Sequence, residues 1–245
     1  MEDGSDTLCV PPYHEILTPR LRLRTVYVSD AEALLPMLQQ TEVMRWMRNG
    51  QALLSLATAE RWVKDRALGA DVFNFAIELT HDQGEGSREK PTIIGIMGSF
   101  HWPRIGYMIN AGIELSSFSF FVSHLLVKVS NKRVDYGGKG YATEALGALV
   151  PELFSRMPAV SPFTQSLGYD YIEALTDSEN IASQKVLQKC GFTFCETCSQ
   201  NFEHPVLGLR DTAVYRIARP SKTLEDLGLI PQGEPGGDDF VPPIQ

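Results

Sequence analysis

Three glycines and a lysine stand directly before a helix-forming run in the stretch "DYGGKGYATEAL", from Asp135 to Leu146. Amide N–H groups in the first turn of a helix have no internal acceptor, and the aligned peptide dipoles make that end attract anions. Glycines also let a phosphate approach the backbone closely. The pattern therefore predicts a phosphate- or pyrophosphate-binding loop; the alternative is a loop that is rich in glycine only because it turns sharply.

If the loop binds an anion, we expect the ligands to be successive backbone N–H groups and one hydroxyl, that of Thr143. The candidate binding residues are Gly138, Lys139, Gly140, Tyr141, Ala142 and Thr143. A nucleoside-triphosphate loop is unlike this one, because the chain has no Gly-x-x-x-x-Gly-Lys-Ser/Thr motif. A dinucleotide fingerprint is only half matched, since Thr143 stands where the third glycine or an alanine belongs.

The order of apolar and turn-forming segments predicts an α/β (α+β) domain. A strand at 20–26 precedes a helix at 31–47 and another at 58–68, and three antiparallel strands follow with a hairpin loop at 81–91. After the glycine loop come a helix, a strand, a helix ended by Gly191, and two strands. The predicted ranges of the later elements are 72–79, 92–100, 104–110, 141–156, 171–176, 192–198 and 211–218.

Charge and composition narrow the function classes. The 245 residues have a formal net charge of −8, which argues against binding nucleic acid through phosphate neutralisation. No long apolar run predicts a membrane span, and the acidic start does not match a signal peptide, so we expect a soluble, cytoplasmic protein. Four cysteines include Cys195 and Cys198 in a lone CxxC without the second pair that would complete a metal site, so no metal is expected.

Three separated motifs give the chain a resemblance to the GNAT superfamily of N-acetyltransferases, in its RimJ/RimL-like branch. The run "GGKGYATEAL" is similar to the family's acyl-CoA pyrophosphate loop, although Gly137 stands where the family usually has Gln or Arg. The stretch from Ile16 to Met47 looks like the branch's opening strand and helix. The segment "DSENIASQKVLQKCGF" is similar to its Asn-x-x-Ser segment.

The resemblance implies a mixed, mostly antiparallel sheet of six to seven strands with helices on both faces. It also implies that the fourth strand, "RIGYMIN", splays from the fifth, "YIEALT", so that pantetheine enters the gap between them. The implied activity is direct transfer of an acetyl group from the co-substrate acetyl-CoA to a primary amine, at a protein N-terminus or in a small molecule. Nucleic acids and membranes are not expected partners.

The resemblance also implies roles for two residues near the gap. Asn180 matches the residue that hydrogen-bonds the pantetheine arm, and it is equally a candidate helix N-cap. Ser183 is the candidate catalytic residue, protonating the departing thiolate directly or through water. Many relatives have a tyrosine for this task at the position of Leu187. The general base is open among four candidates, which are Glu78, His101, Glu114 and Glu144, and a water chain can serve instead.

The predicted domain spans 14–219, between a flexible N-terminus at 1–13 and a disordered tail at 220–245. Residues 111–135 are an atypical insertion, because relatives join "GYMI" to the glycine loop through few residues. A genuine strand pair or lid is one hypothesis for it, and translated intron sequence is the other. Two rival functions remain, which are a non-catalytic acyl-CoA-binding module and, less favoured, a dinucleotide-binding α/β protein.

Overall fold

The fold is known from a computed structural model that describes residues 12–68, 72–80, 91–114, 120–122, 125–127, 133–157 and 168–230. For residue 100 and for the described part of 113–135, only the backbone is described. The predicted hairpin loop at 81–91 lies almost wholly outside the described residues. The strands on either side of it pair antiparallel as expected.

The centre of the fold is an eight-stranded sheet in the order β1-β2-β3-β4-β5-β10-β12-β11. One neighbouring pair among these strands, β5 and β10, is parallel, and the other six are antiparallel. The mixed, mostly antiparallel sheet was predicted, with six to seven strands instead of eight. The strands are β1 (Glu15–Leu17), β2 (Leu21–Thr25), β3 (Phe73–Leu79), β4 (Ile93–His101), β5 (Arg104–Ile109), β10 (Tyr171–Asp177), β11 (Thr193–His204) and β12 (Gly208–Ala218).

Helices cover both faces of the sheet and bury a separate apolar layer on each. One layer lies beneath α4 (Tyr141–Arg156) and α5 (Ile181–Lys189). Alternate strand residues, such as Leu21, Leu23 and Phe75, pack in this layer and are completely buried. The other layer lies beneath α1 (Ala31–Leu38), α2 (Thr41–Met44) and α3 (Leu56–Ala67). Strand residues of opposite parity, such as Ala76, supply that second layer because successive side chains point to opposite faces.

The parallel pair at the middle of the sheet opens into a gap. Strands β5 and β10 are in register at only two pairs, Glu173 with Arg104 and Ala174 with Ile105. Both strands continue past these pairs, β5 to Ile109 beside β4 and β10 to Asp177 beside β12. The N–H and C=O groups on their facing edges are therefore left without a strand partner, and the predicted splay is present.

The predicted helix at 31–47 is wrong as a single element, because it breaks into α1 and α2 at Gln40. Gln40 has an extended backbone (φ −81°, ψ 117°). Its side-chain amide donates to Asn110 Oδ1 and to the Gly112 carbonyl, each at 2.7 Å, and accepts from the Ala111 amide at 3.0 Å. These long-range bonds, invisible in the helical pattern, favour the break and fix the end of β5 against α1.

Short strand pairs lie between Asn110 and the glycine loop. Strand β6 (Gly112–Glu114) pairs antiparallel with β9 (Arg133–Asp135), and β7 (Phe120–Val122) pairs with β8 (Leu125–Val127). The described backbone thus contains strand pairs in the predicted insertion. Residues 1–11, 115–119, 123–124 and 128–132 lie outside the described residues.

The packed part of the chain continues beyond residue 219, where the predicted tail begins. Leu224 is buried, and the carbonyl of Leu229 accepts a hydrogen bond from Arg216 at 3.1 Å. Residues 231–245 are outside the described part. Among the helices that are described, none combines the length and apolar character needed to cross a bilayer.

Candidate functional site

The glycine loop folds so that a row of amides is left without partners. Gly138 (φ 71°) and Gly140 (φ 80°) both adopt the left-handed conformation, which is unfavourable for residues that have a Cβ atom. Gly140 is the N-cap of α4 and has no side chain to cap the helix. Within the described residues, no hydrogen bond uses the amides of residues 138–143. The helix start therefore presents unpaired donors to solvent, as an anion site requires.

A charged cluster at the β1–β2 turn supports this loop from one side. Arg20 donates from Nε to Glu144 Oε2 at 2.6 Å and from a terminal nitrogen to the Lys139 carbonyl at 3.0 Å. Its guanidinium also lies 4.6 Å from the ring centre of Tyr141. Thr18 donates to the other carboxylate oxygen, 2.6 Å away. Glu144 lies in the first turn of α4, where it would oppose an anion, and Arg20 offsets that charge.

The ionisation of Glu144 reflects these contacts. Burial alone would raise the pKa of its carboxyl, but hydrogen bonds from Thr18 and Arg20 outweigh burial and lower the pKa overall. A carboxylate with a lowered pKa is a weak base.

Glu78, another candidate base, is 2% exposed and bonded to Arg22 and Arg24. Both carboxylates are thus ion-pair partners, while the side chain of Glu114 lies outside the description and His101 is exposed.

The second predicted site residue, Asn180, caps α5 at the edge of the gap. Its Oδ1 accepts the Ser183 amide at 3.2 Å, so the N-cap interpretation is correct. No described residue accepts a hydrogen bond from its Nδ2, which leaves the amide donor available to a ligand. Asn180 can therefore cap the helix and bind an extended arm at the same time.

Ser183, the predicted catalytic residue, lies one turn into α5 and faces β5. Its Oγ is 2.8 Å from the hydroxyl of Tyr107, and the same hydroxyl donates to the Ser183 carbonyl at 3.1 Å. Burial raises the pKa of Tyr107 to about 12, although the hydrogen bond with Ser183 acts in the opposite direction. The sequence analysis missed Tyr107. The available signal was its place after Gly106, in the strand predicted to border the gap.

Two leucines near the gap have opposite environments. Leu187, where many relatives have a tyrosine, is 1% exposed and belongs to the apolar layer beneath α4 and α5. Leu175 is 43% exposed although it lies inside β10, because β5 has diverged at that point. The gap therefore has an apolar wall on the face that also carries α1 and α3.

An ion-pair cluster closes the end of the gap. Arg104 donates to Glu173 at 3.0 Å, and Glu173 also accepts from Arg216 at 2.9 Å. Arg104, at the start of β5, is in this way bound to β10. This contact joins the two strands immediately before they separate.

The three cysteines that the structure describes show no metal-binding arrangement. Cys190, Cys195 and Cys198 are free thiols, and burial raises the pKa of the first two. In the ranges with described side chains, no three His, Cys, Asp or Glu residues come together as ligands of one metal ion.

Comparison with known proteins places this geometry among acetyltransferases. A family model described as an acetyltransferase (GNAT) domain matches residues 20–193. Curated protein sequences gave no significant match.

Solved structures share the fold at low sequence identity. A GNAT-family acetyltransferase from Bacillus anthracis is 19% identical over 84% of this chain and 98% of its own, with a TM-score of 0.58. The ribosomal protein acetyltransferase RimL, solved with coenzyme A, is 15% identical over 85% and 100%, with a TM-score of 0.59. The microcin self-immunity acetyltransferase MccE, solved with acetyl-CoA and AMP, is 14% identical over 82% and 93%, with a TM-score of 0.55.

Proposed function

Because the chain belongs to the GNAT acetyltransferase family, we propose that it transfers an acetyl group from acetyl-CoA directly to a primary amine. The amine is that of a protein N-terminus or of a small molecule. The observation that carries the proposal is the row of unpaired amides at residues 138–143, next to a gap between two strands.

Acetyl-CoA fits the residues present. We assign its pyrophosphate to the amides of Gly138, Lys139, Gly140, Tyr141 and Ala142, with Thr143 adding its hydroxyl. A Cβ on Gly138 would meet no atom within 4 Å, so the space in front of the loop is open to a ligand. We assign the pantetheine arm to the unpaired edges of β5 and β10 and to Asn180 Nδ2.

The chain's residues then act mainly by holding and orienting the two substrates. Bound acetyl-CoA supplies an activated thioester. The gap holds the thioester arm extended, and Leu175 excludes water from one side of it. Ser183 is the proposed donor of a hydrogen bond to the departing sulfur. Glu78 and Glu144 are both held by arginines, so we assign neither as general base, and we propose that water carries the amine's proton to solvent.

A charge substitution in the loop tests the cofactor site. We expect Gly138→Asp to weaken coenzyme A binding at least tenfold by calorimetry, because a carboxylate repels the pyrophosphate. Gly138→Asn is the matched control, with nearly the same size and the same backbone strain but no charge. Gly140 is less suitable, because Arg20 lies 3.6 Å from the position of its missing Cβ and would pair with the new carboxylate. Equal affinities of the two variants would contradict the assignment.

A turnover assay separates the rival functions. We expect the protein to release free coenzyme A thiol from acetyl-CoA when peptides or small amines are supplied as acceptors. Binding of acetyl-CoA without turnover over the whole panel would favour the non-catalytic module. Thermal stabilisation by NAD but not by coenzyme A would favour the dinucleotide-binding alternative. Comparing peptide with small-molecule acceptors by kcat/KM identifies the acceptor class, and cell fractionation tests the cytoplasm as the proposed location.

A further inference from the structure

Tyr107 brings a second hydroxyl to the gap, and no part of the proposed function uses it. The residue extends from β5 toward α5, and among the described residues its hydroxyl forms hydrogen bonds with Ser183 alone. Its ring packs against the apolar layer beneath α4 and α5. The hydroxyl is therefore placed by a rigid strand and a packed ring, directly against the residue proposed to contact the sulfur.

One proton of Tyr107 has two acceptors to choose between, both on Ser183. When Tyr107 donates to the carbonyl oxygen, 3.1 Å away, its own oxygen can accept the proton of Ser183 Oγ. When Tyr107 donates to Oγ instead, 2.8 Å away, the Ser183 proton is free to point elsewhere. Since α5 begins at the edge of the gap, the gap is the direction in which a ligand would receive it.

Direct proton transfer from Tyr107 to a sulfur is unfavourable. Burial raises the pKa of Tyr107 to about 12, well above the pKa of about 8.5 for an ordinary thiol. Tyr107 thus stays protonated over the working pH range, so it can donate or accept a hydrogen bond but does not give up its proton. Its effect must pass through Ser183, which makes it a positioning residue.

We propose that Tyr107 shifts its hydrogen bond from the carbonyl oxygen to the hydroxyl oxygen of Ser183 as the thioester bond breaks, so that Ser183 can donate to the sulfur. The inference rests on the proposed function. In this step the C–S bond breaks with its electron pair on sulfur, and the C–N bond forms. The amine nitrogen releases its proton to water, the thiolate leaves as such or takes a proton from water, and the two hydroxyls keep theirs.

A double-mutant cycle tests the switch. We expect Tyr107→Phe to lower kcat about tenfold and Ser183→Ala to lower it by about a hundredfold, since only the developing thiolate needs the donor. The KM for acetyl-CoA should stay within about twofold in both variants. The double variant should be no slower than Ser183→Ala, because Tyr107 acts only through that hydroxyl.

Tyr215→Phe is the matched control. Tyr215 is also buried and its hydroxyl also bonds α5, at Gln184 Oε1 3.1 Å away, but it does not contact Ser183. Its loss should leave kcat within about twofold, and thermal unfolding of all variants reports whether the fold is kept. A parent-like kcat for Tyr107→Phe would overturn the inference, as would a loss that multiplies with that of Ser183→Ala. No turnover by the parent protein would instead overturn the proposed function, and the inference with it.

Discussion

Arg20 and Glu144 form an ion pair, 2.6 Å from Nε to Oε2, directly behind the glycine loop. The same guanidinium also lies behind the loop, where it donates a hydrogen bond to the carbonyl of Lys139. In a trans peptide the C=O and the following N–H point in opposite directions. The amide of Gly140 is therefore directed away from Arg20, toward the open side where we place the pyrophosphate.

Replacing Arg20 should loosen this peptide and weaken the cofactor site without touching the thioester. We expect Arg20→Met to raise the Kd for coenzyme A about tenfold, which is about 1.4 kcal/mol. The KM for S-acetyl-pantetheine, which lacks the pyrophosphate, should not change. Arg22→Met is the control, since Arg22 is similarly exposed and bonds Glu15 and Glu78 instead of the loop. Equal losses with both thioesters would contradict a role at the pyrophosphate.

Acid should remove the stabilisation that Asp177 provides at the turn between β10 and α5. Hydrogen bonds from Arg210, at 2.8 Å to each carboxylate oxygen, lower the pKa of Asp177 below its usual value. A lowered pKa in the folded state stabilises the fold fully above the unfolded value of about 3.9, and that stabilisation is lost as the pH falls through the folded value.

The measurement compares the parent with Asp177→Asn by urea unfolding between pH 3 and pH 7. The difference in unfolding free energy should be largest near neutrality and should shrink below about pH 4. The comparison uses this difference because the pKa of Glu144 is lowered as well and titrates in both proteins. A difference that stays constant down to pH 3 would mean that Asp177 does not titrate as described.

His204 ties the hairpin of β11 and β12 to the loop before α3. Its Nε2 lies 3.1 Å from the Met47 carbonyl, and its Nδ1 accepts the amides of Val206 and Leu207. A Cβ on Gly50 would lie 2.2 Å from Cε1 of this ring. Because three hydrogen bonds hold the ring, it cannot move aside easily, and Gly50 is the residue that lets the hairpin approach.

Gly50→Ala should therefore destabilise the fold by more than backbone strain alone. Gly228→Ala is the control, since Gly228 has a similar φ (64° against 59°) but no atom within 4 Å of the added carbon. We expect about 1–2 kcal/mol for the control and a further 1–3 kcal/mol for Gly50→Ala. Denaturant unfolding measures both, and equal values would show that the ring moves aside after all.

Removing most of the insertion should leave the cofactor site intact. Ile113 and Val134 are register partners, and the pair Glu114 and Arg133 is the next along the ladder. Replacing 114–133 with Asn-Gly joins β6 and β9 through a two-residue turn of a favoured kind. We expect the shortened protein to bind coenzyme A with parent affinity, and a tenfold loss would favour a lid. Transcript sequencing across 110–136 tests the intron hypothesis directly.

Local patterns predicted most of the fold, and the family match confirms the resemblance and the acyltransferase class. The helix at 141–156 and the strand starting at Tyr171 were placed correctly because their apolar spacing and caps are local signals. The short strand β1 was missed because three residues carry no periodicity. The break at Gln40 was missed because its cause lies seventy residues away, at Asn110.

The candidate site divides in the same way. The glycine loop can be predicted from the sequence, because glycines before a helix expose backbone amides to an anion and need no distant partner. The support from Arg20 and the contact of Tyr107 with Ser183 join residues more than seventy positions apart, and no spacing rule predicts such pairs. Glu144 shows the limit of reading residues singly, since the sequence offers it as a candidate base and does not reveal its ion pair with Arg20.

The gap between β5 and β10 leaves two strand borders unpaired in the interior of a sheet, where neighbouring strands are normally hydrogen-bonded along their length. Elsewhere such borders invite a foreign peptide to add as an extra strand. Here both borders belong to strands that stay paired on their other sides, so the opening suits a thin, extended ligand. We expect the protein purified without coenzyme A to bind extended peptides and to aggregate. Bound coenzyme A should prevent both by occupying the gap.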